Sequence, residues 1–351
     1  MTGEELHHNL RQRSPRYIAS GMDPNDIERL ITSVSDWSEW LDRTSAFALE
    51  RLKLGHEALA MRRNVSAAEH FVGAAIYFHF AQLGYFEDEA KKREIAGRAR
   101  DAHQLAFDLL EPPVLQLRIP FRGVDMVANV RIPYGGPKAA AVILLPGVDS
   151  TKEEMITFET VFHKRGLATV AFEGPGQGET GERLPLVEDY EVAVSVLIDA
   201  LALVPGIDGK RLGIYGRSMG GYLAPRVAAT EPRIKAVASS GGPFDLRGWD
   251  QFSEQLKRFF CHAWGISDLQ EGTERASRVS LKEFIPRIKC PFLILHGDAD
   301  RIFAGDEGRR MAEIATSETT VVIYPEGEHV NDNIPYKYRP VTADWFAEAL
   351  M

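Results

Sequence analysis

The chain has 351 residues, 44% of them hydrophobic and 26% charged, the balance expected of a soluble globular protein with a sizeable core. At about 100–200 residues per domain the length suits one large domain or two modest ones, and 30 scattered glycines with 19 prolines exclude a fibrous or disordered chain. Fifty acidic against 41 basic residues give a formal charge of −9, which argues against a nucleic-acid binder because such a protein needs a basic face for the phosphates.

The N-terminus, Met1-Thr2-Gly3-Glu4-Glu5, has no basic segment followed by an apolar one, so no signal peptide is expected. His7 and His8 are expected in a frayed terminus. Residues 1–112 then read as helix throughout. Asp23-Pro24 is a helix start, an Asp cap with proline in the first turn, followed by Ile27, Leu30, Ile31 and Val34 at helical spacing. A second helix carries Trp37, Trp40, Leu41, Phe47 and Leu52 between Asp36 and Leu54. Ser66, with Glu69 three residues on, predicts a capping box opening a helix whose body, 71–81, is apolar almost all round and should be buried. A further helix is expected from about Asp88 to Leu110, and Glu111-Pro112-Pro113 ends it.

Past that boundary the hydrophobic period drops to two. Leu115–Phe121 and Val124–Ile132 read as strands joined by a hairpin at Arg122-Gly123. Apolar runs at 139–145, 168–172, 212–215, 236–239, 292–295 and 320–324 then alternate with helical stretches near 153–164, 189–203, 219–229, 305–315 and 342–350. Such alternation predicts right-handed βαβ crossovers and a mostly parallel sheet covered on both faces. Residues 244–285 interrupt the rhythm and read as a helical lid insertion over the C-terminal edge of the sheet. The expected organisation is a helical N-terminal domain, 1–112, and an α/β catalytic domain, 113–351. No apolar run approaches the ~20 residues of a membrane span. Two cysteines, Cys261 and Cys290, are too few for a disulfide framework, so space-filling thiols and a cytoplasmic location are expected.

The chemistry gathers at strand ends. Gly216-Arg217-Ser218-Met219-Gly220 is G-x-S-x-G between a strand and a helix, the context that exposes a serine on a strained turn. A serine hydroxyl needs a base held by an acid. The strand at 292–295 runs into His296-Gly297-Asp298-Ala299-Asp300, and one helix and one strand later the loop Pro325-Glu326-Gly327-Glu328-His329 delivers a histidine. Ser218, Asp300 and His329 are therefore the expected triad, with Asp298 the competing acid, read as a turn former. His296 is expected to bond backbone, and His56, His70, His103 and His163 to lie on helices, mostly solvated. The loop Pro146-Gly147-Val148 follows an early strand, so the Val148 amide, paired with that of Met219, is the expected oxyanion hole. Glu173-Gly174-Pro175-Gly176-Gln177-Gly178-Glu179-Thr180 is another glycine-rich strand end but not a phosphate loop, since no lysine follows. No metal-ligand spacing occurs, and neither metal nor cofactor is expected.

Together the motifs PGVDS, EGPGQGET, GRSMGG and HGDAD followed by GEH resemble those of the α/β-hydrolase fold family over residues 115–351. The helical N-terminal region, the run Tyr77-Phe78-His79-Phe80-Ala81-Gln82 and the segment from Gly147 to Glu154 look like the 2,6-dihydroxypseudooxynicotine hydrolase group, itself similar to the fermentation–respiration switch esterases. The resemblance implies cleavage of a carbon–carbon bond next to a ketone in an aromatic compound. It also implies an additional acid after the nucleophile strand, for which Asp245, Asp250 and Glu254 are available. The N-terminal helices and residues 244–285 would roof a pocket for a small, aromatic substrate, with Tyr77, His79, Phe80, Trp249 and Trp264 as lining residues; Tyr77 to Phe80 as plain core is the competing reading. The alternatives are a carboxylesterase or thioesterase with the same triad, a ligand-binding pseudoenzyme, and a helical half that serves protein interaction. A homodimer is expected on general frequency.

Overall fold

The structure, a computed structural model, describes residues 3–136, 138–303 and 306–351. Its contacts divide the chain into two compact units, Met1–Val114 with Glu153–Thr157, and Leu115–Lys152 with Phe158–Met351.

The first unit is built on α1 (Gly3–Ser20), α2 (Pro24–Ser33), α3 (Trp40–Ala60), α4 (Asn64–Gln82) and α5 (Glu89–Ala106). Asp23 caps α2 as its position before Pro24 predicts, accepting from the Asn25 and Asp26 amides. From Gly73 to Gln82 every residue of α4 is buried, because alanine and aromatic side chains surround the helix axis. The capping box at Ser66 does not form. Arg62, at φ 58°, reverses the chain, the Arg63 amide donates to Ala58, and the Arg63 carbonyl already receives Ala67, so α4 starts at Asn64. His7 is not frayed: it lies on α1, with Nε2 2.8 Å from the Val34 carbonyl. His103 is not solvated: it is buried on α5, edge-on to Phe107.

Two buried carboxylates of this unit, Asp26 and Glu154, are paired. Asp26 accepts from Tyr77 Oη at 2.5 Å and from Arg51 at 2.7 Å, with Arg29 also bound to that carboxylate. Burial works to raise the Asp26 pKa, but Tyr77, Arg51 and Arg29 outweigh it and hold the group below its ordinary value. Glu154, from the 153–157 segment, receives Arg16 through both oxygens at 2.8 Å and lies 3.2 Å from His79 Nε2.

The second unit is an eight-stranded sheet in the order β1-β2-β4-β3-β5-β6-β7-β8. Its strands and helices run β1 (Val114–Phe121), β2 (Val124–Arg131), β3 (Ala139–Leu145), α6 (Ile156–His163), β4 (Ala168–Glu173), α7 (Gly178–Gly181), α8 (Tyr190–Leu201), β5 (Ile207–Arg217), α9 (Met219–Thr230) and β6 (Ile234–Ser240). They continue with α10 (Glu254–Trp264), α11 (Leu269–Ala276), β7 (Phe292–Gly297), α12 (Asp306–Ile314), β8 (Thr319–Tyr324) and α13 (Pro335–Ala349). β2 is antiparallel to β4, and every pairing from β4 through β8 is parallel. Strand β3 is apolar along its length because both of its faces are covered. Parallel register sets Leu145 beside Gly216, Gly216 beside Ser239, and Gly297 beside Tyr324, so the loops after β3, β5, β7 and β8 leave one edge of the sheet.

The expectation for the last helix is corrected: it begins at Pro335, where proline suits a first turn, and accommodates Pro340 rather than starting after it. The expected start of the preceding helix, Gly305, lies outside the described residues. The one-turn α7, which begins within EGPGQGET and ends one residue past it, was not anticipated.

Glu231, closing α9, is 5% exposed and binds Arg233 Nη2 at 2.6 Å and Nε at 2.8 Å. The Arg233 hydrogen bonds, against the cost of burial, draw its pKa from 4.5 down to about 2. A depressed carboxylate stabilises the fold fully above its ordinary pKa; the contribution falls below pH 4.5 and is gone once the folded group protonates near 2. Glu231→Gln is therefore expected to cost about 1–3 kcal/mol in urea unfolding at pH 7 and less at about pH 3. An equal cost at both pH values would contradict this.

Candidate active site

β5 ends in a turn that only small residues permit. A Cβ on Gly216 would meet the Gly220 carbonyl oxygen at 1.8 Å, and one on Gly220 would meet the Leu145 carbonyl oxygen at 2.3 Å. Between them Ser218 sits at φ 54°, ψ −123°, a conformation that costs a non-glycine residue about 1–3 kcal/mol and persists because its surroundings hold it. The Ser218 amide donates to Ser240 at 2.9 Å, and its carbonyl accepts from Gly221 at 2.7 Å. The side chain is thus presented at the start of α9.

His329 arrives from the loop after β8. Its Nε2 is 2.9 Å from Ser218 Oγ, and its Nδ1 is 2.8 Å from Asp300 Oδ2. With Nδ1–H donating to the carboxylate, Nε2 is left to accept the serine proton. The next two residues, Val330 and Asn331, have φ of 51° and 62°, so backbone strain is concentrated beside the imidazole. Asp300 follows β7, and its other oxygen accepts the Ile302 and Phe303 amides at 2.8 and 3.0 Å. Burial favours its neutral form, but His329, His296 and the Phe303 amide prevail and hold the carboxyl below its usual pKa. His296 is buried and its imidazole pKa is lowered by desolvation; Nε2 is 3.3 Å from the Phe303 carbonyl. The competing acid, Asp298, points elsewhere and pairs with Arg309 at 2.8 Å.

Gly147, after β3, passes close to the serine: a Cβ there would lie 3.2 Å from Ser218 Cβ. Val148 follows it, half-buried against the core, and Met219 opens α9. Arg217, the residue before the serine, donates to Asp332 at 2.5 Å, three positions past His329, and both partners are buried. This ion pair ties the turn carrying the serine to the loop carrying the histidine, a link that no sequence motif announced.

The remaining singled-out residues scatter. Tyr77, His79 and Phe80 are buried within the helical unit: Tyr77 is bonded to Asp26, His79 to Glu154, and Phe80 packs on Tyr17 with ring centroids 4.7 Å apart. Asp245 binds Arg310 at 2.5 Å; burial would raise its pKa, yet Arg310 and the Arg247 amide lower it, so it stays ionised. Asp250 is exposed, and Glu254 is exposed beside Arg258 at 3.1 Å. Trp249 is buried with Nε1 donating to Thr273, and its ring tilts against Trp264 at 5.6 Å. Trp264 borders a cleft of about 240 Å³ along one face of α9, with Met219, Tyr222, Leu223, Arg226 and Phe284. Among the described residues no cluster of histidine, cysteine and carboxylates could hold a metal ion, and no helix is long and apolar enough to cross a membrane.

A mostly parallel sheet with its serine turn after β5 and its acid and histidine after β7 and β8 defines an α/β-hydrolase, and the chain is an enzyme of that class. More narrowly, it belongs to the FrsA-like esterase family, whose model matches residues 16–249, while the model of the prolyl oligopeptidase family matches residues 156–351. It is 32% identical over 315 residues to the 2,6-dihydropseudooxynicotine hydrolase of Paenarthrobacter nicotinovorans, covering 89% of this chain and 85% of that protein. Hydrolase LUC6 of a Fusarium species is 31% identical over 317 residues, 76% of this chain and 75% of its own. The crystal structure of 2,6-dihydroxy-pseudo-oxynicotine hydrolase superposes with a TM-score of 0.89 at 30% identity, covering 96% and 95% of the two chains. AbyA5, at 15% identity and a TM-score of 0.76 over 98% of each chain, shares the fold.

Proposed function

We propose that Ser218 is the nucleophile, His329 the general base and acid, and Asp300 the residue that orients His329. The proposed substrate is a small aromatic or heteroaromatic ketone cleaved at the carbon–carbon bond beside its carbonyl. The unbroken chain from Ser218 through His329 to Asp300, at 2.9 and 2.8 Å, carries the catalytic reading. The relative named a 2,6-dihydropseudooxynicotine hydrolase supports the substrate class.

In this mechanism His329 Nε2 takes the proton of Ser218 as Oγ bonds to the carbonyl carbon. The oxyanion is received by the amides of Val148 and Met219, the latter at the positive end of α9. Collapse of the tetrahedral adduct breaks the carbon–carbon bond; the departing carbon takes the electron pair and the proton held by His329. Water, deprotonated by His329, then opens the acyl-serine to a carboxylic acid and restores the Ser218 hydroxyl. A carbon leaving group needs its charge spread over a ring or a second carbonyl. With Asp245 ionised against Arg310 and Asp250 and Glu254 at the surface, His329 supplies the proton. Residues 244–285 serve as a lid of the catalytic domain, with Trp264 beside the substrate. The enzyme is taken as cytoplasmic, in keeping with its free Cys261 and Cys290, and as a homodimer, which light scattering of the purified protein checks.

The esterase family model favours a second reading, hydrolysis of carboxylic or thiol esters by the same triad. A panel of aryl β-diketones and p-nitrophenyl esters separates the two. Turnover of the diketones with kcat/KM at least about tenfold above that of the esters, roughly 1.4 kcal/mol in the barrier, is expected. Ester turnover with no ketone cleavage would favour the second reading.

A further inference from the structure

The motif Glu173–Thr180 has no part in the triad, yet its side chains grip the loop that carries Gly147 and Val148. Gln177 Nε2 donates to the Pro146 carbonyl at 2.8 Å. That carbonyl is pressed against the serine turn as well, since a Cβ on Gly220 would lie 2.7 Å from its oxygen. The Gln177 amide is itself oriented, because its Oε1 accepts the Tyr190 hydroxyl at 2.6 Å and the Gly174 amide at 3.2 Å. At the far end of the same loop, Glu173 accepts the Lys152 amide at 2.9 Å and its ammonium at 3.0 Å, all fully buried. Gly178 is needed for this approach, since a Cβ there would overlap Glu173 Oε1 at 2.0 Å.

We infer that Gln177 and Glu173 are positioning residues for the oxyanion hole, holding residues 146–152 at both ends so that the Val148 amide faces the carbonyl attacked by Ser218. The inference rests on the triad and oxyanion hole proposed above. A peptide anchored at Pro146 enters Val148 in one direction, and a donor fixed before the reaction stabilises the developing charge without reorganising. A loop freed at one end loses that advantage, and a displacement of about 1 Å can cost about 100-fold in rate.

The test uses Gln177→Met, which keeps the volume and removes both ends of the amide, and Tyr190→Phe, which removes only the hydroxyl that orients it. Active protein is counted by fluorophosphonate labelling of Ser218. Per labelled serine, Gln177→Met is expected to lower kcat about 10–100-fold with KM within about twofold, and to weaken a trifluoromethyl ketone, a mimic of the oxyanion, by the same factor. Tyr190→Phe is expected to shift both in the same direction by less. Unchanged kcat per labelled serine in both variants would overturn the inference and leave the triad standing, as would a kcat loss with no weakening of the ketone. Failure of the wild-type enzyme to label at Ser218 would remove the reading underneath it.

Discussion

Ser218→Ala is expected to lower kcat by about 10⁴-fold or more while leaving the fold intact. The hydroxyl is the atom that bonds to the substrate, and nothing else at the end of β5 can replace it: its neighbours in the turn are Arg217, paired with Asp332, and Met219, buried at the start of α9. Alanine at φ 54° carries the same backbone strain as serine, so the thermal midpoint should move by no more than a few degrees. Rapid-mixing measurements with a chromogenic substrate should lose the burst along with steady-state turnover. Retention of even a tenth of wild-type kcat would assign the chemistry to another group.

Asp300→Asn is expected to cost nearly as much, about 10⁴-fold in kcat. Asparagine keeps the shape and can still receive the Ile302 and Phe303 amides. Toward His329, however, it presents an amide donor or a neutral carbonyl in place of a carboxylate, which loosens the tautomer and removes the charge that stabilises the imidazolium. The lowered pKa of Asp300 also fixes a sign. The group remains ionised to below its ordinary range, so its stabilisation of His329 and of the fold is present above about pH 4 and is lost only as pH falls further. Any loss of wild-type activity between about pH 8 and 5 must then come from a group other than Asp300. A variant that keeps kcat within about tenfold would show that the acid does not orient the base.

Local patterns made much of this legible. The glycines around Ser218 are visible in sequence because the turn rejects a Cβ at Gly216 and Gly220, and the strand before and helix after them follow from short-range periodicity. Asp300 and His329 come into reach through counting of βα units, and the structure sets them 2.8 Å apart. What escaped depends on partners distant in the chain. The pairing of Arg217 with Asp332 spans 115 residues, and that of Gln177 with Pro146 spans 31, with no periodicity to connect them. Tyr77 and His79 could be read from sequence either as pocket lining or as core, and their partners inside the helical unit, Asp26 and Glu154, are too distant in the chain for any local pattern to name. Asp245 was available as an acid in composition, and Arg310 on α12, with the Arg247 amide, makes it an anion held in place. Ser66 failed as a cap because the turn at Arg62 let the helix begin sooner.

The convergence of Ser218, His329 and Asp300 into one reactive unit is tested most directly by stoichiometric reaction with a fluorophosphonate, read by peptide mass spectrometry. One adduct per chain on Ser218, formed in step with loss of activity and slowed at least about 1000-fold in His329→Ala, is the expected result. An active enzyme that takes up no label at Ser218, or a His329→Ala variant labelled as fast as wild type, would contradict it.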